Sequence, residues 1–319
     1  MTVLVTGGAG YIGSAVVDAL AGRGESVLVI DNLSRSTRPN FPGGVEFESA
    51  DIGDTECLEH LVRRHGVESC IHLAALIAVG ESVADPGLYI ENNVVQSARL
   101  LRVLVRNGVS RLVFSSSAAV YGNASTTPIS ESESTQPTSP YGWTKLVAEQ
   151  MLEMHDHADG LRSVSLRYFN AAGATARRIS PHRPATHLIP LAVRAATEPD
   201  CQLTVFGDDY PTPDGTAVRD YIHIVDLTDA HLLALDYLRA AGETTAVNLG
   251  AGVGHSVLEV ISAVENVFGR RVPYEVGPRR AGDPAELIAS TQRARRVLDW
   301  APSRSTLPEI VSSLAARVP

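Results

Sequence analysis

Apolar and polar positions along the first half of the chain alternate between two periods. Val3-Leu4-Val5 is a short apolar run of the kind a buried strand shows. It gives way at a glycine-rich turn to helical spacing, with Ile12, Ala15, Val16, Ala19 and Leu20 on one face. Gly24 closes that helix, Val27-Leu28-Val29-Ile30 predicts a second strand ending at Asp31, and Val45-Glu46-Phe47-Glu48 leads to Asp51-Ile52. Cys57 to Arg64 reads as a helix, and Ser69-Cys70-Ile71-His72-Leu73-Ala74-Ala75 as a buried strand ending in small residues. A long helix is predicted from about Gly87 to Asn107, closed by Gly108, then a strand over Leu112-Val113-Phe114-Ser115-Ser116-Ser117 with a hydroxyl-rich end. Strands and helices in this order predict an α/β fold with a doubly wound parallel sheet, whose ligands sit at the carboxyl ends of the strands. Asp31, Asp51, Ala74, Ser117 and Tyr141 all fall at such ends or just beyond them. Beyond Asn170 the pattern is less regular and richer in Pro and Gly, as expected of a smaller second lobe.

Composition narrows the picture. At 319 residues and 44% apolar, the chain can bury a full core and has the length of two lobes. A net charge of -9 argues against general affinity for nucleic acid or anionic membrane, so any anionic ligand must be held by local groups. Cys57, Cys70 and Cys201 form no metal-binding spacing, and an odd count fits a reducing compartment. The chain enters a strand almost at once and contains no apolar run of the roughly 18 residues a membrane span needs. The expectation is a soluble, cytoplasmic protein.

Two motifs carry candidate chemistry. Gly8, Gly10 and Gly13 fit G-x-G-x-x-G between a strand and a helix, and Gly7 adds the looser G-x-x-G-x-x-G. Such glycines allow a tight turn and let backbone N–H groups reach a pyrophosphate at the helix N-terminus. Asp31 is placed to accept both hydroxyls of an adenosine ribose, and its charge repels a 2′-phosphate, which favours NAD over NADP; Arg35 and Arg38 nearby pull the other way. The second motif is Ser139-Pro140-Tyr141-Gly142-Trp143-Thr144-Lys145. Ser139 is a good N-cap and Pro140 suits the first helical position. A helix starting there stacks Tyr141 and Lys145 on one face, where a lysine cation draws the phenol pKa down from about 10 and makes Tyr141 a candidate base.

On these residues the chain resembles the extended short-chain dehydrogenase/reductases and, within them, the UDP-sugar 4-epimerases. The matching stretches are Thr6 to Gly13, Asp31-Asn32-Leu33, Ala78 to Ser82, Phe114 to Gly122, Ser139 to Lys145 and Leu166-Arg167-Tyr168-Phe169-Asn170, and the resemblance covers essentially the whole length. It implies a Rossmann-type NAD-binding part over residues 1–169, with a return segment near 218–245, and a UDP-sugar-binding lobe over 170–319. It implies Ser117, Tyr141 and Lys145 as the catalytic set. The cofactor would be held by Gly7, Gly10, Tyr11, Ile12, Gly13, Asp31, Asn32, Asp51, Ile52, Leu73, Ala74, Ala75, Asn92, Tyr141, Lys145 and Tyr168. Asn170, His187, Leu188, Thr204, Phe206, Arg219, Tyr221, Arg280 and Asp283, with Ser117, would hold the UDP-hexose. Two arginines suit a dianionic linker because each offers forked donors.

The implied reaction has Tyr141 take the C4 hydroxyl proton as hydride leaves C4 for the nicotinamide; the 4-keto sugar then turns about its diphosphate and recovers the hydride on its other face. Ala118 and Ala119 stand where related 4,6-dehydratases carry an acid and a base, which disfavours a dehydratase. The family also implies a homodimer through the helices after Gly87 and Pro140.

Three departures bear on the substrate. The loop from Ala174 to Thr186 carries Arg177, Arg178, His182 and Arg183, which keeps UDP-glucuronate open. Leu287, of intermediate bulk beside the expected sugar pocket, keeps UDP-N-acetylglucosamine open. Ile77 replaces a lysine common near the cofactor. UDP-glucose/UDP-galactose is the favoured pair; a nucleotide-sugar decarboxylase or dehydrogenase and a non-catalytic NAD-binding protein are the rivals.

Overall fold

Thr2–Thr6 (β1) runs through the centre of the molecule, with Val3 and Val5 facing one side of a sheet, Leu4 the other, and none of the three exposed. Strands buried on both faces read as continuous apolar runs because helices cover the sheet from above and below. The computed structural model describes residues 2–177, 187–280 and 283–316.

After β1 come Tyr11–Gly22 (α1), Ser26–Ile30 (β2), Val45–Glu48 (β3), Thr55–His65 (α2) and Val67–His72 (β4). Val79–Ala84 (α3) and Pro86–Tyr89 (α4) lead through a π-helical turn, Ile90–Val95, into Gln96–Arg106 (α5) and then Arg111–Ser117 (β5). Pro140–Asp159 (α6) and Arg162–Tyr168 (β6) complete the first half. The single helix expected from Gly87 to Asn107 is therefore interrupted; the π turn adds a residue and carries Asn93 into the interior. The strand expected to reach Ala75 stops at His72, because Leu73–Ala75 turns past Gly7, whose Cα lies against the Ala74 backbone.

The second half holds Asn170–Ala172 (β7), Leu188–Thr197 (α7), Leu203–Phe206 (β8), Val218–His223 (β9) and Ile224–Arg239 (α8). Thr245–Leu249 (β10), Gly254–Ser256 (β11), Val257–Phe268 (α9) and Tyr274–Gly277 (β12) follow. Glu286–Leu287 (β13), Gln292–Leu298 (α10) and Leu307–Ala315 (α11) end the order.

The main sheet has the order β10-β6-β5-β4-β1-β2-β3, every neighbouring pair parallel. Leu20, Val29, Val164, Leu227 and Leu235 form the core on one face, under α1 and α8. On the other, Leu28, Leu58, Leu100, Leu104 and Leu112 pack under α2, α5 and α6. Each such side chain removed from water contributes about 1.5–3 kcal/mol. β9 lies outside this sheet and pairs with β7, β11 and β13, and β8 pairs with β12 alone. These short strands sit on a third core, under α7, α9 and α11. The chain returns to the main sheet at β10, which pairs with β6.

Candidate active site

The glycine turn between β1 and α1 is shaped by contacts that exclude side chains. Gly7 has φ 71°, and a Cβ there would stand 2.6 Å from the Ala74 N; a Cβ on Gly13 would stand 2.2 Å from the Gly7 O. Gly10, by contrast, has only the Gly7 O near its missing Cβ, at 3.3 Å. It begins α1, which has no side-chain cap and no acidic residue in its first turn, so the positive end of the helix is not neutralised from within. Ile12 is half-buried beside it. Asp31, at the end of β2, accepts from the Ala9 N at 3.0 Å, the Leu33 N at 2.9 Å and the Ser36 Oγ at 3.2 Å, and a carboxylate retains a further acceptor position beyond these three. Arg35 is paired with Glu81 at 2.6 Å and Arg38 lies over the Phe47 ring at 4.7 Å, so neither neutralises Asp31. An uncapped helix N-terminus for a pyrophosphate, with a carboxylate at the next strand end for a ribose, fits NAD.

The remaining residues expected around the cofactor sort into liners and supports. Asn32 donates to Asp51 Oδ2 at 2.9 Å, and the Gly53 N donates to Oδ1 at 2.7 Å. Ile52 points into the core, and the Leu73 N donates to the Thr6 O at 3.0 Å. Ala74 and Ala75 are half-buried in the loop above β4. The Tyr11 phenol is turned away, donating to the Gly173 O at 2.5 Å, and Asn92 donates to Asn93 Oδ1 at 3.0 Å. Tyr168 shares a short hydrogen bond with the Ser115 hydroxyl.

α6 begins as its sequence dictates: the Ser139 Oγ accepts from the Gly142 N at 3.1 Å and Pro140 opens the first turn. Tyr141 and Lys145 are both buried on the face against β5. The Ser117 hydroxyl lies close enough to the Tyr141 phenol to oppose the rise of its pKa, and it accepts from the Ala119 N at 3.1 Å. Lys145 Nζ donates to the Ser115 O at 2.8 Å and stands 5.9 Å from the centroid of the Tyr141 ring. Sequence, strand and helix thus bring Ser117, Tyr141 and Lys145 together.

The electrostatics differ from expectation. Burial pushes the Tyr141 phenol above its ordinary value, with the Ser117 hydroxyl the opposing influence. Burial lowers Lys145 itself to about 7, with Glu149 acting the other way. The protein interior therefore does not by itself make a phenolate; a further positive charge at this site would favour one.

In the second half, Arg219 on β9 pairs with Asp283 at 2.5 Å and donates to the Val218 O at 2.7 Å. Arg280 lies over the ring of Phe206, 4.0 Å from its centroid. Thr204 is on β8 with Phe206, Tyr221 is buried on β9, and Asn170 on β7 donates to the Asp220 O at 3.0 Å. His187 precedes α7, which opens at Leu188. Leu287 on β13 pairs in register with Arg219 and packs beside the Tyr121–Phe169 cluster. Arg177 lies 3.9 Å from Asp18, while Arg178, His182 and Arg183 fall outside the described residues. Ile77 is exposed.

Sequence reasoning missed several residues of this centre. Ser82 Oγ accepts from the Tyr141 N at 3.2 Å. Asn93 accepts from the Leu76 N at 2.9 Å and donates to the Leu76 O at 3.0 Å and to Thr144 Oγ1 at 3.1 Å, tying the loop after β4 to α6. Glu149 and Arg167 form a buried ion pair at 2.5 Å. One signal was available: Glu149 lies four residues after Lys145, a charge on the helix face predicted to be buried.

Comparison with known proteins agrees with this geometry. Residues 3–250 match the model of the "NAD dependent epimerase/dehydratase family". A UDP-glucose 4-epimerase of Azospirillum brasilense is 48% identical, covering 98% of this chain and 90% of its own. Another, of Halalkalibacterium halodurans, is 46% identical over 98% of this chain and 93% of its own. The crystal structure of UDP-glucose 4-epimerase from Brucella ovis in complex with NAD superposes with a TM-score of 0.94 at 44% identity, covering 97% of this chain and 96% of that one. The Bifidobacterium longum enzyme in complex with NAD+ and UDP gives 0.91 at 38% identity, covering 98% and 96%. A glycine turn that admits no side chain, an acid at the next strand end, a Ser/Tyr/Lys centre and full-length relatives lead to one conclusion: this chain belongs to the NAD dependent epimerase/dehydratase family.

Proposed function

We propose that the chain is an NAD-dependent UDP-glucose 4-epimerase. The observation that carries this reading is the convergence of Ser117, Tyr141 and Lys145 at the carboxyl end of β5, beside the glycine turn, with Ala118 and Ala119 offering no second acid or base. NAD, when bound, supplies an acceptor for hydride and returns it, so the reaction has no net oxidation. Tyr141 removes the proton from the C4 hydroxyl and gives it back; Ser117 orients that hydroxyl; Lys145 steadies the phenolate. Arg219 and Arg280 grip the diphosphate, Asp283 the ribose, and Asn170 the linker, so that the hexose alone is free to turn. The Arg219–Asp283 pair and the Arg280–Phe206 contact rearrange to admit the nucleotide, exchanging one set of partners for another. We assign cofactor binding to residues 1–169 with the returning α8 and β10, and sugar-nucleotide binding to the rest.

Incubating the purified protein with UDP-glucose and following C4 by proton NMR tests this. The expected result is UDP-galactose at equilibrium without accumulation of NADH; retention of configuration, or stoichiometric NADH, would overturn it. UDP-glucuronate and UDP-N-acetylglucosamine run in parallel fix the preference at C5 and C2. The partner of this chain is a second copy of itself, docked through Leu88, Ile90, Trp143 and Met154, large apolar side chains exposed on α4, the π turn and α6. Light scattering is expected to give twice 33.9 kDa. No helix among the described residues is long and apolar enough to cross a membrane, and we place the enzyme in the cytoplasm.

A further inference from the structure

β5 and α6 meet through three polar rungs. The Ser117 hydroxyl stands by the Tyr141 phenol, the Ser115 carbonyl accepts from Lys145, and the Ser116 hydroxyl donates to Glu149 in a short hydrogen bond. Tyr141, Lys145 and Glu149 follow one another at four-residue intervals, so one face of a single helix carries all three. The first two rungs belong to the chemistry proposed above. The third has no part in it, yet it is the most heavily bonded. Glu149 also receives Arg167 Nε at 2.9 and 3.2 Å and Nη2 at 2.5 Å, and both side chains are nearly inaccessible. Arg167 Nη1 donates to the Tyr121 phenol at 3.0 Å, which donates to Asn248 Oδ1 at 2.7 Å.

A buried ion pair is a poor device for stability, since an apolar pair of similar volume serves as well or better. Its place beside the lysine supplies another reason for it. We propose that Glu149 is a positioning residue of the Tyr141/Lys145 centre: held by Ser116 and Arg167, it fixes the register of α6 on β5 and supplies the negative charge that faces the Lys145 ammonium inside the fold. The inference rests on the epimerase reading for the role of Lys145, but its primary readout does not.

The groups around Lys145 make the balance clear. From β4, His72 is buried and held neutral, its pKa brought down to about 3 by burial and by Lys145 itself. From β5 come the Ser115 carbonyl and the Phe114 ring, 5.0 Å from Nζ. From β6 come Tyr168, a phenol raised by burial and bonded to the Ser115 hydroxyl, and the Arg167 cation. From α6 come Tyr141 and Glu149. Glu131 lies farther off, accepting from the Asn248 N at 2.8 Å. On its outer side Glu149 lines a cavity of about 260 Å³ with Glu153, Asp156 and His157. Among the described residues named here, Glu149, one turn along the same helix face, is the carboxylate that acts on Lys145, and Arg167, paired to it, is the second buried cation. Glu149→Gln leaves two buried cations without a counter-ion, whereas Arg167→Met frees the carboxylate for Lys145.

The test is the titration of Lys145 in the NAD-loaded protein, read by NMR of 13Cε-lysine with Lys145→Met to assign the signal. Glu149→Gln is expected to move the midpoint down by about one pH unit or more, and Arg167→Met to move it up. The alkaline limb of kcat is expected to follow in each case, with KM for UDP-glucose within about twofold. A Glu149 whose role is only to support the fold would lower thermal stability in both variants and shift neither midpoint; that result overturns the proposal. The two variants have opposite predicted signs, so either one that folds decides the matter. Glu149→Asp, which keeps the charge, is expected to keep the wild-type midpoint, and a downward shift there counts against it. Wild-type protein that holds NAD but fails to invert C4 defeats the functional reading alone, while an active epimerase with an unmoved Lys145 midpoint in Glu149→Gln defeats this inference alone.

Discussion

Between β5 and α6 the polar groups bond to one another and are shut away from water: Lys145 is 3% exposed and Glu149 5%. Around β8 and β9 the charged groups are also paired, but within reach of solvent. Asp283 keeps 32% of its side chain exposed beside Arg219, and Arg279 42% beside Asp209. The first region rests on a wide parallel sheet with helices on both faces, the second on sheets of short strands over a separate core. The contrast fits the roles proposed for the two regions. Proton removal needs atoms held within a few tenths of an ångström, whereas binding a diphosphate needs cations that can leave one anion for another.

The sharpest way to separate the two regions is Tyr141→Phe. Losing the phenol is expected to lower kcat by about 10³-fold while UDP affinity, measured by calorimetry, stays within about twofold. A Tyr141→Phe enzyme with ordinary turnover would remove the base assignment and with it the contrast. Next in size is Arg219→Met, which deletes a charged donor and is expected to raise KM for UDP-glucose by about 10- to 100-fold with kcat little changed. If kcat fell instead and KM held, the grip and the chemistry would not be separate. Asp283→Asn removes the charged acceptor proposed for the ribose but leaves Arg219 free for the diphosphate, so the expected rise in KM is smaller than that of Arg219→Met. The smallest effect is expected far from both regions, at the ion pair between Glu25, just before β2, and Arg239 at the end of α8. Arg239 holds the Glu25 carboxyl below its ordinary range, so the pair stabilises the fold above the unfolded carboxyl pKa and loses that contribution as pH falls through the lower folded value. Water screens it, so Arg239→Met is expected to cost at most about 1 kcal/mol at pH 7, nothing at low pH, and no turnover.

The sheet was legible because its strands are short apolar runs flanked by glycine or hydroxyl residues, and Ser139-Pro140 announced α6 to the residue. Ser117, Tyr141 and Lys145 were legible because strand end and helix start carry them to one place. What remained hidden was set by long-range bonds. No local pattern shows that Asn93 will bond Leu76 and Thr144, so the π turn that carries it inward read as ordinary helix. The charge balance at Lys145 was misjudged for a related reason. Proximity on a helix suggested a phenol drawn below its ordinary value, whereas burial raises it and also weakens the ammonium, which donates to the Ser115 carbonyl. Arg167 and Glu149 lie in segments whose partners come from another element, and the short strands β8, β12 and β13 are too brief for any periodicity.

The phenol of Tyr11 has a mechanical consequence. It opens the helix we propose for the pyrophosphate, yet its hydroxyl is bonded to the Gly173 backbone, where the main sheet gives way to the short-strand half. Pulling the two halves apart at that seam would strand a buried hydroxyl, a loss of about 1–3 kcal/mol before anything else moved. With the ligands held as we propose, sugar nucleotides would exchange by way of the charged rim around β8 and β9, leaving the Tyr11–Gly173 bond in place.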